Sequence, residues 1–306
     1  MLYQRTLAKK MTVTGLGMHS GKKVTLTLHP AEADFGIQFK RTDLSSAPRL
    51  RANAETVGAT ENNTCLGHGE NCVHTIEHLM AVFYGLGINN VYCEIDGPEV
   101  PIMDGSGASF IFLLKETGIT NLNTSKKFMV ILDTVRVEQG ESWAMISPST
   151  QLVIDSTIVF AHAAIKVQHK VFEFSCDNFI NDIGRARTFG MLKDVDMLKR
   201  KGLIKGGSLN NAVVLDEFKV MNAEGLRFRD EFVRHKVLDT IGDLALLGHE
   251  IAGKITTYKS GHKIHNLLCR KLINTPNAYE IVAASSLQKE TIKSFELPVS
   301  ISPAFH

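Results

Sequence analysis

The chain is as informative in what it lacks as in what it holds. No stretch approaches the roughly 20 apolar residues that a membrane-spanning helix needs, and the opening Met1-Leu-Tyr-Gln-Arg-Thr-Leu-Ala-Lys-Lys10 has no apolar core of the kind that marks a secretory signal. The expectation is a cytoplasmic protein with no transmembrane segment and at most peripheral membrane contact. Cysteine is scarce and odd in number: Cys65, Cys72, Cys93, Cys176 and Cys269 form no Cys-x-x-Cys pair, which argues against a disulfide framework or a cysteine zinc knuckle and fits a reducing compartment. Charge of one sign is missing as well. With 34 basic and 32 acidic residues the net charge is +2, so bulk electrostatics demand neither nucleic acid nor an anionic surface, and any anionic ligand must be recognised by local groups. No internal repeat is visible. What is present is apolar material, 44% of 306 residues, enough to build two domains of ordinary size.

Two segments carry more chemistry than packing requires. In residues 231–243, His235, Asp239 and Asp243 fall at i, i+4 and i+8, one stripe of an α-helix, opposite the apolar stripe Val233, Val237, Ile241 and Leu244. An imidazole and a carboxylate one turn apart can close on one cation at about 2.0–2.2 Å, a geometry that suits zinc, with a third ligand supplied from elsewhere. An ordinary charged face, paired through Arg234 and Lys236, accounts for the same spacing equally well. The second segment, residues 73–87, places Ile76, Leu79, Met80 and Phe83 on one helical face and ends at Gly85 and Gly87. His74, Glu77 and His78 share the opposite face, and a core helix gains nothing by grouping three titratable groups. Taken literally, His74-Thr-Ile-Glu77-His78 matches the inverted zincin pattern, in which both histidines bind zinc and the glutamate is the base.

The remaining chain reads as strands and turns. Alternation predicts a strand over 24–28 behind the glycine-rich loop 15–21 that carries His19, an irregular polar region over 42–63, and a strand over 90–98. Asp104, in the turn 100–107, fits a turn former or a carboxylate behind metal ligands. The polar run 117–127 suggests a domain boundary, dividing the chain into 1–124 and 125–306. Strands over 128–132, 143–146 and 152–160 then precede a helical stretch near 177–187. Strands followed by helices in both halves imply an α+β class with two similar domains, each a sheet packed with helices in layers. Within the second half, residues 189–214 read as a strand-helix-strand insertion. Its short helix has Leu192, Val195 and Leu198 on one side and is interrupted at Gly202, before Gly206-Gly207.

Gln4-Arg-Thr, Gly17-Met-His19-Ser-Gly21, Thr75-Ile-Glu77-His78-Leu, Pro101-Ile-Met-Asp104-Gly-Ser, Arg185-Ala-Arg-Thr188-Phe189-Gly190, Leu226-Arg-Phe, Phe232-Val-Arg-His235-Lys236-x-x-Asp239 and Tyr258-Lys259-Ser-Gly-His262 follow one another along nearly the whole chain. On these motifs the sequence resembles the UDP-3-O-acyl-N-acetylglucosamine deacetylases, zinc amidases of lipid A synthesis in Gram-negative bacteria. The resemblance implies two α+β domains with the active site at their junction. It also implies one catalytic Zn(2+), with Fe(2+) as the alternative ion in the cell, held by His78, His235 and Asp239. Glu77 then matches the general base and His262 a second catalytic histidine.

The family places no ligand at His74, and a fourth protein ligand would fill the position that a catalytic zinc keeps open for water. In the mechanism that follows, the Thr188 hydroxyl helps zinc hold the oxyanion, and His262, kept cationic by Asp243, donates to the leaving nitrogen. On the substrate side, Lys236 and Lys259 would meet the diphosphate with His19 as a further contact, Phe160 would stack on uracil, and Phe189, Leu192, Val195, Gly207 and Ser208 would border the acyl chain. The expected partner is a UDP-sugar carrying an acyl chain, with no nucleic acid. The tail after Ala278, including Asn274-Thr-Pro just before it and the final Pro-Ala-Phe-His306, carries none of the motifs and is expected to matter little for chemistry.

Overall fold

A computed structural model describes residues 2–200 and 202–298. Period-two alternation builds two five-stranded sheets. In the strand Lys23–Pro30 the side chains of Val24, Leu26 and Leu28 are buried while those between them are not, and in Val153–Val159 the same holds for Ile154, Ser156 and Ile158. The first sheet runs Met11–Leu16, Lys23–Pro30, Val91–Ile95, Ile37–Arg41, Arg49–Arg51. The second runs Val135–Gln139, Ser142–Ser147, Lys254–Tyr258, Val153–Val159, Val167–Glu173. Numbered by position in the chain, both sheets have the order 1-2-5-3-4, with the fifth strand antiparallel to the second and parallel to the third. Each fifth strand is preceded by a buried helix, Glu77–Gly85 or Glu231–Leu244, and followed by another, Ala108–Thr117 or His262–Ile273. The fold is mixed α+β and repeats a topology that the sequence does not show as a repeat.

The two preceding helices pack directly on each other, and Glu231–Leu244 also rests on the strands Val153–Val159 and Val167–Glu173. All nine residues of Glu77–Gly85 are buried, and in Glu231–Leu244 only Arg234 and Lys236 are not. The polar stripe of the longer helix therefore faces protein rather than solvent. Close approach depends on Gly242, where a Cβ would lie 2.0 Å from the backbone oxygen of Glu77.

Several expectations change. The polar run 117–127 is no open linker: Ile119–Ser125 is a strand paired antiparallel with Tyr3–Leu7. Its polar side chains alternate on a two-stranded ribbon, as where Asn121 accepts from Arg5 Nε at 3.4 Å. The region 42–63 contains the edge strand Arg49–Arg51, and 177–187 is a helical turn, Cys176–Asn178, continuing into one π-helical turn, Phe179–Ile183. Residues 189–214 do fold as strand, helix and strand: Phe189–Met191 and Val213–Leu215 pair in parallel around Leu192–Arg200. Part of the tail closes the core. Phe295 is fully buried against Tyr84, Phe128 and Phe174, and its carbonyl accepts from Arg5 Nη1 at 3.3 Å. The final Pro-Ala-Phe-His306 lies outside the described residues. Among the described residues no helix is long and apolar enough to cross a membrane.

Candidate active site

His235 and Asp239 share a stripe because they are one turn apart, and the packing of the two helices brings His78 to them. Asp239 Oδ1 lies 3.3 Å from His235 Nε2 and 3.6 Å from His78 Nε2, and the two imidazoles stand edge to face, centroids 4.9 Å apart. All three residues are buried, and their candidate ligand atoms lie within 4.8 Å of one another. His235 Nδ1 donates to the carbonyl of Ala186 at 3.0 Å, which turns the unprotonated Nε2 toward the cluster. Burial pushes His235 down to about 3, so the ring is a neutral donor near neutrality. Asp239 Oδ2 accepts from Lys236 Nζ at 2.8 Å, yet among the described residues buried Oδ1 has no hydrogen-bond partner. Leaving such an atom unpaired costs on the order of 1–3 kcal/mol or more. Two imidazole nitrogens facing an orphaned carboxylate oxygen are the donor set of a divalent cation, and the residues fit one.

Beside this cluster stands a second set of groups. Glu77 opens its helix at the buried interface. Its Oε2 accepts from the Thr64 backbone N–H at 3.0 Å, and its Oε1 lies 3.9 Å from His262 Nε2. Burial pushes its carboxyl up, against the pull of His262 and His78. His262 is the first residue of His262–Ile273, behind Gly261. Burial works to lower its pKa but is outweighed by Asp243 and Glu77, which raise it to about 9. Asp243 Oδ2 accepts from His262 Nδ1 and His265 Nδ1, both at 2.8 Å, and Oδ1 accepts from the Thr64 hydroxyl at 2.6 Å. Despite burial, those imidazoles hold the Asp243 carboxyl below the usual carboxylate range.

Both sets open on one cavity of about 810 Å³. Its lining includes His78, His235, Asp239, Glu77, His262, Thr188 and Lys236 beside His19, Phe160, Phe189, Leu192, Val195, Gly207, Ser208 and Lys259. Thr188 is held where its backbone N–H donates to the Gly105 carbonyl at 2.7 Å. Lys236 gives its ammonium to Asp239, and so is a neighbour of the cluster rather than a free charge for a diphosphate. Lys259 pairs with Glu141 at 2.6 Å on the exposed side, Phe160 lies edge-on to Phe189 with centroids 5.5 Å apart, and buried His19 Nδ1 has no partner among the described residues. Asp104 is not in the cavity lining; it caps its own turn through Ser106 and pairs with Arg227 at 2.9 Å.

His74 does not join the site. The helix expected from residue 73 begins at Glu77, because Val73 and His74 are bridged to Leu66 and Glu99 and Thr75 takes φ +58, a left-handed turn that no α-helix continues through. The inverted zincin geometry, with both histidines on one helix, is therefore not formed. Sequence reasoning missed Thr64, His265 and Glu99. His265 is one turn beyond His262 and could have been found by that spacing. Glu99, almost fully buried, accepts from the backbone N–H groups of His19 and Ser20 and from the Thr75 hydroxyl, and no local pattern announces it.

A profile of the family described as UDP-3-O-acyl N-acetylglycosamine deacetylase matches residues 4–274. The UDP-3-O-acyl-N-acetylglucosamine deacetylase of Geobacter sp. (strain M21) is 46% identical to this chain over 301 residues, 98% of this chain and 97% of the relative. The protein of that name from Pasteurella multocida (strain Pm70) is 48% identical over 291 residues, 94% of this chain and 95% of its own. That from Blochmanniella pennsylvanica (strain BPEN) is 46% identical over 289 residues, 94% and 97%. With a profile match over most of its length and relatives this similar end to end, the chain belongs to the UDP-3-O-acyl-N-acetylglucosamine deacetylase family.

Proposed function

We propose that this chain hydrolyses the N-acetyl group of UDP-3-O-acyl-N-acetylglucosamine, giving UDP-3-O-acyl-glucosamine and acetate, a committed step of lipid A biosynthesis carried out in the cytoplasm. The observation that carries the reading is the meeting, on one cavity, of the His78/His235/Asp239 set with its unpaired Asp239 oxygen, a buried Glu77 carboxyl pushed toward its neutral form and a buried His262 imidazole pushed toward its cationic form. One catalytic Zn(2+), with Fe(2+) as the alternative, held by those three residues would supply Lewis acidity, polarising an amide carbonyl and bringing the pKa of water toward about 7.

The chain's own groups do the rest. Glu77, its carboxyl raised by burial and its orientation held by Thr64, accepts the proton of the attacking water. The Thr188 hydroxyl donates to the oxyanion of the tetrahedral adduct. His262, cationic through Asp243, donates to the leaving nitrogen. Lys236 sets the orientation of Asp239 and adds positive charge near the developing anion. Lys259 and His19 are assigned to the diphosphate and Phe160 to the uracil ring. The arm bordered by Phe189, Leu192, Val195, Gly207 and Ser208 takes the acyl chain, each buried methylene contributing about 0.8 kcal/mol at most. The reading divides the chain at 124/125, with the site at the junction of the two halves. It is tested by mass spectrometry of purified, zinc-loaded protein mixed with the UDP-3-O-acyl-N-acetylglucosamine substrate. Loss of one acetyl group is expected, and an unchanged substrate mass would overturn it.

A further inference from the structure

A second group of metal-ligand side chains lies outside the lining of the catalytic cavity. Leu66 and Val73 exchange both backbone hydrogen bonds, N to O 2.9 Å each way, so residues 66 and 73 are an antiparallel pair that closes the loop between them. By the alternation of side chains across such a pair, Leu66 and Val73 point to one face and Cys65, Cys72 and His74 to the other. Leu66 and Val73 are both fully buried in the core. On the opposite face Cys65 is buried while Cys72 and His74 are partly exposed, and their three ligand atoms lie within 4.8 Å of one another. Cys65 Sγ is 3.8 Å from His74 Nε2.

The surroundings hold these groups in place. His74 Nδ1 meets Asn63 Oδ1 at 3.3 Å, which orients the ring with Nε2 toward the thiols, the arrangement by which an outer partner fixes a ligating imidazole. Arg41 Nη1 donates to the carbonyls of Glu70 and Cys72 at 3.1 and 2.9 Å, pinning the loop that carries Cys72. Two thiols and one imidazole are a ligand set for a thiolate-preferring cation of the zinc class.

We propose that Cys65, Cys72 and His74 form a second metal site that takes one Zn(2+) ion and has no direct part in hydrolysis. Binding releases one proton from each thiol, so that two thiolates and a neutral imidazole meet the ion and the site as a whole is neutral. Its effect on the enzyme is positional. Cys65 follows Thr64, whose N–H and hydroxyl hold Glu77 and Asp243, and His74 precedes the Thr75 turn into the Glu77 helix. An ion clipped between Cys65 and His74 ties the two ends of this segment together.

The test uses the metal-free, reduced full-length protein and Co(2+) as probe. The catalytic set holds no sulfur, so a thiolate-to-cobalt absorption band in the near ultraviolet reports the second site alone. The band is expected in the wild type and in His78→Ala, and is expected to vanish in Cys72→Ser, with metal content falling by one equivalent. Zinc should also protect the partly exposed Cys72 thiol of the wild type from alkylation, read on its peptide, which decides the matter even if Cys72→Ser does not fold. No band and no protection in the reduced wild type would overturn the proposal. So would protection that appears only on oxidation, since a Cys65–Cys72 disulfide and not a metal would then account for the pair.

Discussion

The two sheets have one strand order, yet the helices that precede their fifth strands are used differently. In the first half the chemistry sits in the opening turn of Glu77–Gly85, where Glu77 and His78 are consecutive. In the second it runs through three successive turns of Glu231–Leu244, at His235, Asp239 and Asp243. Repetition of topology brings two buried helices face to face at Gly242, and the site arises from what each contributes at that contact. In the proposed mechanism the first half supplies the base Glu77 and the ligand His78. The second supplies the other two ligands, His235 and Asp239, and the carboxylate of Asp243, which raises the pKa of His262.

That asymmetry can be broken most sharply at the two consecutive residues. His78→Ala should lose bound metal and activity together, while Glu77→Ala should keep its metal and lose roughly 10²–10⁴-fold in rate, as expected for a lost general base. Metal analysis beside single-turnover rates checks both. Equal metal loss in the two variants would make Glu77 a ligand and dissolve the division of labour.

The proton donor proposed in the second half, His262, should give the next largest effect. With its pKa raised to about 9, His262 is cationic below that value and loses its proton as pH rises through it. The rate should therefore fall on an alkaline limb near pH 9. His262→Ala should remove the limb, and Asp243→Asn, which withdraws the largest opposing influence on the burial of His262, should move it to lower pH. The same shift stabilises the fold. Because the folded pKa lies above the ordinary value of about 6.5, the contribution is fully present below that value and lost as pH rises toward 9. The difference in thermal stability between wild type and His262→Ala should accordingly narrow as pH rises from about 6.5 toward 9.

Smaller effects test the contact and the insertion. Gly242→Ala places a methyl group against the Glu77 backbone, and should destabilise by about 1–3 kcal/mol in denaturant unfolding, as overpacking does, with activity falling further than metal content because Glu77 is displaced. Gly207→Leu crowds Ile204, since a Cβ there would already lie 2.4 Å from its side chain. It should reduce turnover of a long-acyl substrate while sparing a short-acyl one, with zinc content unchanged. Equal loss on both substrates would remove the acyl chain from this arm.

Helical geometry made part of the site legible in advance. His235, Asp239 and Asp243 at four-residue spacing must share a stripe wherever that segment is helical, and the amphipathic 191–198 pattern between two strand signals was enough to foresee the insertion. Alternation in 24–28 and 152–160 likewise sufficed to place a strand in each sheet, because side-chain period is a property of the local backbone. Tertiary structure decided the rest. The polar residues of 119–125 form a strand only because Tyr3–Leu7 lies beside them. His74 leaves the site because Thr75 turns left-handed under the hold of Glu99, 24 residues away. Thr64 reaches Glu77 across 13 residues and Asp243 across 179. Local periodicity encodes which face a side chain takes within its own element. It does not encode which other face will be packed against it, and the unpaired oxygen of Asp239 comes to face the His78 imidazole as well as that of His235 only when that second face arrives.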